Sequence, residues 1–294
     1  MTCDVTGFGA SSVDRVFVLP AWPRPSGPAA RLPIDDHFLA CGGQTATAMA
    51  GCAALGLRAA FAGVTGDDAH GAMARAELEA RGVDLSQATV AGTQAYSVIL
   101  LAAGQADRIV LWSGGSARPR ALDTTAFRLL HVDDVYLDEA IAAARAAREA
   151  GRLITTDIDH VTGGTLDLIR AATHPVLAEH VPSLVTGEAD LERALRAMRA
   201  YTAAPLVVTR GARGAVALDG DALITAPGFP VHAVDTTGAG DVFRAGFIAA
   251  LLDGRDLAGI LRFANAAAAA SCETRGAIDS VPKRERVLEV LRGR

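Results

Sequence analysis

Lysine is almost absent from this sequence, because Lys283 is the only one among 294 residues. A P-loop, which grips nucleotide phosphates with a lysine, is therefore excluded, and a phosphate clamp has to use guanidinium groups, backbone amides or a metal ion. The 28 basic and 33 acidic residues give a formal net charge of -5, and no basic block could follow a nucleic-acid backbone. We therefore expect no nucleic-acid partner.

Cysteines and long apolar runs are scarce as well. The four cysteines show neither a Cys-x-x-Cys motif nor metal-ligand spacing with histidine, and a chain of this length needs no disulfide bonds to fold. A reducing cytoplasm is therefore the expected location. No apolar run reaches the length of a membrane span, and the first residues lack the basic region of an export signal. We predict neither export nor a membrane partner.

The most informative segment is Asp235 to Asp241, which runs directly into a helical pattern of apolar residues. Gly238, Ala239 and Gly240 let the backbone turn so that several N–H groups point at one spot, and the next helix adds its positive N-terminal end. Asp241 lies in the first helical turn, where a carboxylate can cap the helix or accept a proton from an attacking hydroxyl. The pattern favours phosphoryl transfer, with a glycine-rich loop and a capping aspartate as the alternative.

Strand and helix patterns alternate along most of the chain. This alternation predicts an α/β fold with a mostly parallel central sheet, covered by helices on both faces and with one strand near Val132–Leu137. Residues 11–40 and 92–115 contain β patterns without helices, so we expect them to pack together as a separate small sheet. The predicted core then comprises residues 1–10, 41–91 and 116–294.

Three segments in chain order resemble the signatures of the ribokinase-like (pfkB) carbohydrate kinases. Gly42 to Gly71 is similar to the glycine-pair signature, Val208 to Ala215 is similar to the nucleotide-side turn, and Asp235 to Asp241 matches the core of the C-terminal signature. The resemblance spans nearly the whole chain and favours phosphoryl transfer over the capped loop. It implies a three-layer α/β/α core with a mostly parallel central sheet, and it implies that the small sheet is a β-sheet lid over the sugar.

The resemblance also implies roles for residues around the reacting groups. Asp241 is expected to take the proton from the acceptor hydroxyl, while the amides of Gly238, Ala239 and Gly240 stabilise charge on the transferring phosphoryl group. The residues implied for sugar binding are Asp14, Gly42, Gly43, Gln44, Thr47 and Arg108. Thr47 stands where many members have an asparagine. Arg108 matches an arginine of ketohexokinase-like members, with a solvated strand arginine as the alternative.

On the nucleotide side, the resemblance places Thr209, Gly211 and Gly214 along the nucleotide. It also places Asn265 near the adenine, with an amide on the helix surface as the alternative. Asp157 follows a predicted strand, where it edges the nucleotide side of the cleft or is a surface carboxylate.

The implied cofactors are ATP and Mg²⁺. Many members carry an Asn-x-x-Glu motif that organises Mg²⁺ through water, but the matching stretch here lacks it, and Glu179 is the nearest carboxylate. Asp235 and Thr237 are implied as a site for a monovalent cation such as K⁺, as in some relatives. The absence of this motif resembles the variation in sulfofructose-kinase-like members, which also have an Ala-Thr-Ala string like that at 46–48 after the glycine pair.

The predicted function is that of an ATP-dependent sugar kinase, which transfers the γ-phosphoryl group to a hydroxyl, preferentially a primary one, of a sugar or sugar derivative. A nucleoside kinase of the same fold is one alternative, and the aromatic content of 5% argues mildly against it. A catalytically silent sugar-binding protein is the alternative from another class, and the presence of Asp241 and its glycines argues against that. An exposed edge of the lid favours a homodimer.

Overall fold

The computed structural model describes residues 3–102 and 108–293. Within these ranges the chain forms fourteen β-strands and nine α-helices. The strands are β1 (Cys3–Phe8), β2 (Ser12–Leu19), β3 (Asp36–Gly42), β4 (Ala59–Phe61), β5 (Val64–Thr65), β6 (Thr89–Val90), β7 (Tyr96–Ala102), β8 (Arg108–Ser113), β9 (Phe127–Asp133), β10 (Leu153–Asp157), β11 (Val176–Ala178), β12 (Leu206–Thr209), β13 (Ala215–Asp219) and β14 (Ala222–Ala226). The helices are α1 (Gln44–Ala54), α2 (Ala69–Ala80), α3 (Leu137–Glu149), α4 (Thr165–Ala171), α5 (Val181–Thr186), α6 (Leu191–Met198), α7 (Ala239–Leu252), α8 (Leu257–Ser271) and α9 (Arg284–Leu291).

The central sheet contains eight of these strands. β4, β1, β9 and β10 pair in parallel in that spatial order. β11 and β12 are also parallel, whereas β13 and β14 continue the sheet in antiparallel pairs. Parallel bridges from Thr155 to His174 and from Ile158 to Leu177 join the two halves between β10 and β11. The sheet is therefore mostly parallel, as predicted.

Helices cover both faces of the central sheet. α1, α2, α7, α8 and α9 share a buried apolar cluster with Val5 and Leu129 on one face. α3, α4, α5 and α6 share a second cluster with Leu130 and Ile154 on the other face, because successive strand residues point to opposite sides. This arrangement confirms the predicted three-layer α/β/α core. In the described part of the chain, no helix has the length and apolar character needed to cross a membrane.

A second sheet, here called the lid sheet, consists of β3, β2, β7 and β8 in that spatial order. β2 pairs antiparallel with β3 and parallel with β7, and β7 pairs antiparallel with β8. These strands come from the two helix-free segments, except for the last two residues of β3, so the predicted small sheet is confirmed. Asp14 pairs with Ser97 and Ser97 pairs with Trp112, so these three residues share one face of the lid sheet.

One core strand does not lie where the pattern predicts it. The prediction of a strand near Val132–Leu137 is wrong in its bounds, because β9 spans Phe127–Asp133 and Leu137 already begins α3. The backbone N–H of Val135 donates to Asp133 Oδ1 at 3.1 Å, and this local bond turns the chain out of the strand. His131 is polar and interrupts the apolar run of β9, although its side chain is fully buried. The sequence pattern therefore does not indicate the true bounds of this strand.

Candidate active site

The glycines of the C-terminal signature form the N-terminus of α7. Gly238 is the N-cap residue and has a left-handed backbone with a φ of 75°. A Cβ atom at this position would also lie 2.9 Å from the Cα atom of Ala277, so both the conformation and the space require glycine. The turn places Gly238, Ala239 and Gly240 at the positive end of the helix dipole, which is a suitable site for a phosphate.

Two buried carboxylates lie beside this helix end. Asp133 ends β9, Asp157 ends β10, and the two residues are paired in register. When Asp241 is protonated, its carboxyl group donates a hydrogen bond to Asp157, so the predicted base lies directly beside the end of β10. Asp133 and Asp157 are 0% and 3% exposed, so the surface alternative for Asp157 is wrong.

The surroundings of Asp241 make its carboxylate hard to ionise. Burial raises the pKa of Asp241 well above its usual range, and the neighbouring charge of Asp157 raises it further, while Arg244 acts in the opposite direction. Burial also raises the pKa of Asp133 to about 6. The hydrogen bonds that Asp133 accepts from Ala10 N at 2.6 Å and from Thr45 Oγ1 at 2.7 Å act in the opposite direction and lower this pKa. The site therefore concentrates acidic groups whose protonation changes closer to neutral pH than that of an exposed aspartate.

On the lid side, Asp14 is held in place within β2. Ser12 Oγ donates to Asp14 Oδ1 at 3.0 Å, Ser97 forms a further hydrogen bond, and burial raises the pKa of the Asp14 carboxyl. A Cβ atom at Gly42 would lie 2.6 Å from Asp14 Oδ2, so this glycine makes room for the carboxylate. Gly43 adopts a φ of 98° as the N-cap of α1, which explains the second glycine of the pair.

The two predicted halves of the site face each other across one cleft. The lid sheet lines it with Asp14, Val16, Phe38, Ala40, Ile99 and Leu101, and the core lines it with Asp235, Thr237, Gly276 and Ala277. Thr47 is fully buried in α1, and its Oγ1 atom has no hydrogen-bond partner among the residues described. Gln44 is half-buried at the first turn of α1. Arg108 begins β8, but its side chain lies outside the described part of the structure.

On the predicted nucleotide side, Asn265 and Gly214 meet at the end of β14. Asn265 is 5% exposed, and its Nδ2 atom donates to Ala226 O at 2.9 Å and to Pro227 O at 3.2 Å. The alternative of an exposed helix amide is therefore wrong. Gly214 has a φ of 84°, and a Cβ atom there would collide with Ala226 O. The amide and the glycine thus shape the same stretch of backbone.

The neighbouring turn follows β12. Thr209 ends this strand and donates from Oγ1 to Leu177 O at 3.4 Å, and Gly211 adopts a φ of 55°. Glu179 accepts a hydrogen bond from Arg213 Nη2 at 2.6 Å and a long one from Arg210 Nε at 3.4 Å. The predicted Mg²⁺ carboxylate is therefore engaged by two guanidinium groups.

Asp235 closes the loop in front of α7. Its Oδ1 atom accepts from Thr237 N and its Oδ2 atom accepts from Gly276 N, both at 2.9 Å. These bonds tie the loop to the core beside the cleft. Across the described ranges, no group of three His, Cys, Asp or Glu side chains is arranged to hold a metal ion.

Three residues near the cleft were not singled out from the sequence. Asp133 is the last residue of a strand whose bounds were misplaced. Arg244 follows Asp241 by three positions, a spacing that puts both on one side of a helix and could have indicated it. Trp112 lies on the same face of β8 as Val110, and only the register with β7 shows that this is also the face of Asp14.

Known proteins with similar sequences identify the family of this chain. The sequence profile of the pfkB family of carbohydrate kinases matches residues 39–284. Ribokinase from Bacillus subtilis is 30% identical over 259 residues, which cover 85% of this chain and 87% of that protein. An ATP-dependent ribose-1-phosphate kinase from Halopiger xanaduensis is 33% identical over 251 residues, which cover 80% of this chain and 81% of that protein.

Solved structures confirm the fold. The crystal structure of a protein from Agrobacterium tumefaciens is similar to this chain with a TM-score of 0.91 and 25% identity. The match covers 100% of this chain and 98% of the other, so it includes the lid sheet as well as the core. The chain belongs to the pfkB family of carbohydrate kinases and is therefore a phosphotransferase with an alcohol group as acceptor.

Proposed function

We propose that this kinase transfers the γ-phosphoryl group of ATP to a primary hydroxyl of a sugar or sugar derivative, with Asp241 as the base. One observation carries the proposal: Asp14 of the lid sheet and the loop of the C-terminal signature line the same cleft. Asp241 follows this loop in the first turn of α7, so a hydroxyl held by Asp14 is proposed to come within its reach. The name of the Halopiger relative supports ATP as the phosphoryl donor.

The proposed chemistry uses few groups of the protein. Asp241 accepts the proton of the acceptor hydroxyl as its oxygen attacks the γ-phosphorus atom, and the bond to the β-phosphate oxygen breaks. The backbone N–H groups of Gly238, Ala239 and Gly240 stabilise the negative charge on the transferring group. Closure of the lid sheet over the acceptor keeps water from taking the phosphoryl group instead.

The lining of the cleft supports a sugar as the acceptor. Val16, Phe38 and Ile99 give the lid side an apolar surface, within which Asp14 is the charged group. A sugar ring presents C–H groups on its faces and hydroxyls at its rim, so it suits a surface that combines apolar contacts with one carboxylate. Gln44 and Thr47 are proposed to complete the polar contacts, and Arg108 is proposed to reach the substrate from β8.

A nucleoside is the second candidate acceptor because of Trp112. This side chain is 74% exposed and lies in register on the face of the lid sheet that carries Asp14. An aromatic ring in this position can stack on the face of a sugar, and it can equally stack on a nucleobase. Nucleosides therefore belong in any panel of acceptors.

Mg²⁺ is proposed to accompany ATP, and it would neutralise part of the phosphate charge. Glu179, whose predicted role is indirect and through water, contacts Arg210 and Arg213, so the ion would be bound chiefly by phosphate oxygens and water. The K⁺ site proposed at Asp235 and Thr237 has to leave the two backbone bonds of Asp235 in place. Replacing K⁺ by Na⁺ at constant ionic strength tests that site, since turnover should then fall.

We also propose that the lid sheet forms a homodimer through its other face. Leu39, Leu111 and Ile109 lie in register on the face opposite Asp14 and are 46%, 57% and 41% exposed. Phe17 and Leu100 extend the same face. Arg15 also lies on this face, in register between Leu39 and Val98. The apolar side chains around it are proposed to pack against a second copy.

The cytoplasm is the proposed location of the enzyme. All four cysteines are free thiols, and Cys41 and Cys52 are buried. Burial raises the pKa of Cys41 to about 11, which keeps this thiol protonated and unreactive. Free thiols of this kind suit a reducing compartment.

The acceptor panel is the direct test of the proposed function. The purified protein is incubated with ATP and Mg²⁺ and with ketoses, aldoses, sugar acids, sugar phosphates and nucleosides, and ADP release and the mass of the product are measured. We expect ADP release that depends on a sugar, with a phosphorylated sugar as the product. ADP release with nucleosides alone would establish the second candidate, and no acceptor-dependent release across the panel would contradict the proposal.

A further inference from the structure

A buried ion pair lies directly behind the proposed base. Arg244 Nη2 is 2.7 Å from Asp157 Oδ1, and each of the two side chains is 4% exposed. Arg244 Nη1 also donates to Gly240 O at 3.1 Å, which joins the pair to the backbone of the anion-binding turn. Asp157 in turn accepts a hydrogen bond from Asp241 when Asp241 is protonated. One guanidinium group and two carboxyl groups thus form a connected cluster at the N-terminus of α7.

Stability does not explain why this pair is present. Removing a charged group from water costs several kcal/mol per ion, and the attraction between the two ions only about offsets this cost. Apolar replacements of buried ion pairs are therefore often neutral or stabilising. Arg244 Nε is moreover buried without a hydrogen-bond partner among the described residues. A buried arginine with incomplete bonding beside a reacting carboxylate is better explained by a role in the reaction.

We propose that Asp157 and Arg244 position the base: Asp157 accepts a hydrogen bond from Asp241 while Asp241 is protonated, and the Arg244 guanidinium balances the charge of the two carboxylates once Asp241 is ionised. The inference rests on the proposed function, because it takes Asp241 as the base. Without Arg244, the two neighbouring carboxyl groups would share one proton, as like-charged acids in contact do. Without Asp157, the guanidinium group would pair with Asp241 itself and make it a poorer proton acceptor.

The other charged groups around the cluster do not supply the same balance. β9 contributes Asp133 and His131, and the segments after β9 and β10 contribute Asp134 and Asp159. Burial lowers the pKa of His131 to about 3, so this ring is neutral near neutral pH. All the remaining groups are acidic. Among the described residues that face Asp241, Arg244 therefore supplies the positive charge.

The two single variants are expected to move the pH dependence of kcat in opposite directions. In Arg244→Met the shared proton is held more tightly, so the acidic limb of the profile moves to higher pH. In Asp157→Asn the guanidinium favours the ionised Asp241, so the acidic limb moves to lower pH while the plateau of kcat falls about 10²-fold. KM values for sugar and ATP should change far less than kcat in both variants.

The experiment measures kcat against pH for the wild type, Arg244→Met, Asp157→Asn and Arg244→Lys, with thermal unfolding recorded for each. Arg244→Lys retains the charge and is expected to keep the acidic limb close to that of the wild type. Opposite shifts together with this rescue support the inference. Equal losses of kcat without shifts would overturn it, since that pattern indicates a purely structural pair. If Arg244→Met does not fold, failure of Arg244→Lys to keep the wild-type limb overturns the inference.

Asp241→Asn separates failure of this inference from failure of the proposed function. Near-normal turnover of Asp241→Asn would remove the assigned base and with it the proposed chemistry. An inactive Asp241→Asn combined with unshifted pH profiles of the other variants would overturn only the positioning role of Asp157 and Arg244.

Discussion

At the scale of single residues, Asp241 has to lose its proton before it can act as the proposed base. Burial and the charge of Asp157 hold its pKa well above the usual range of an aspartate. The active, ionised form is therefore lost as the pH falls through this raised pKa. The acidic limb of kcat thus reports directly on the surroundings of one side chain.

We predict that kcat at saturating ATP and sugar rises with pH through a midpoint well above about 4, the ordinary pKa of an aspartate. The measurement is a pH–rate profile of the wild type, with the folded fraction checked by circular dichroism at each pH. A profile that stays flat down to about pH 5 would contradict the raised pKa and the assignment of the base to this buried carboxyl.

A second prediction at this scale concerns Asn265. Asn265→Ala leaves the carbonyls of Ala226 and Pro227 without their side-chain donor, so we expect a loss of about 1–3 kcal/mol in the free energy of unfolding. KM for ATP should rise because this backbone shapes the nucleotide side. Ser271→Ala, another buried polar residue of α8, is the matched control and should leave KM for ATP unchanged. An unchanged KM in Asn265→Ala would remove Asn265 from the nucleotide side.

Single residues were predictable where local geometry demands one residue type. Gly238 and Gly43 were indicated by the sequence because a left-handed backbone and a tight approach require glycine. Arg244 and Asp133 act through partners that are distant in the chain, such as Asp157 and Thr45. No local sequence pattern indicates those distant partners, so neither contact was predicted.

At the scale of secondary structure, the N-terminus of α7 is the element on which the proposed chemistry depends. The left-handed turn at Gly238 begins this helix and sets the direction of its first backbone N–H groups, which are proposed to bind phosphate. A change that distorts this turn should therefore lower catalysis before it disrupts the rest of the fold.

We predict that Gly238→Ala lowers kcat by about 10²-fold or more, because the new Cβ atom meets Ala277 and moves the helix end. Gly254→Ala is the matched control, since Gly254 has a similar φ of 76° with open space around its Cβ position. It should cost about 1 kcal/mol of stability and leave kcat unchanged. Steady-state kinetics and thermal unfolding of both variants check the prediction, and equal kcat values would contradict it.

Element boundaries were less predictable than element types. The predicted alternation of strands and helices is correct for most of the core, whereas the predicted start of β9 is about five residues too late in the sequence. The short helices α4 and α5 have 7 and 6 residues, which is too few to show a helical period. Their formation depends on packing against the sheet rather than on their own pattern.

At the scale of the whole molecule, the two faces of the lid sheet differ in their surroundings. One face carries Asp14 and lines the cleft, and the other exposes Leu39, Ile109 and Leu111. If the second face packs against another copy, the dimer also supports the lid over the cleft. Assembly and catalysis should then be linked.

We predict that Leu111→Glu converts the dimer into a monomer and raises KM for the sugar, because a charge on this face opposes apolar packing. Leu184→Glu is the matched control, since Leu184 is 64% exposed on α5, remote from the lid sheet, and Leu111 is 57% exposed. Sedimentation velocity and sugar kinetics provide the readouts. A wild-type protein that is monomeric at all concentrations would contradict the dimer, and unaffected assembly of Leu111→Glu would exclude this face.

The overall architecture was largely predictable because three sequence signatures and the strand–helix alternation all indicate the same fold. The contact of Asp14 and the C-terminal signature with one cleft was expected from the family resemblance and is seen in the structure. The identity of the sugar was not predictable. It depends on side chains of the lid sheet such as Trp112, whose placement follows from long-range register rather than from local sequence.

The most direct test of the central claim is the turnover of Asp241→Asn under conditions in which sugar and ATP binding are measured separately by calorimetry. Asparagine keeps the size and much of the hydrogen bonding of the side chain but cannot accept the proton. We predict dissociation constants within about threefold of the wild type and a kcat lower by at least about 10³-fold. Near-normal kcat in this variant would contradict the account, because another group would then take the proton.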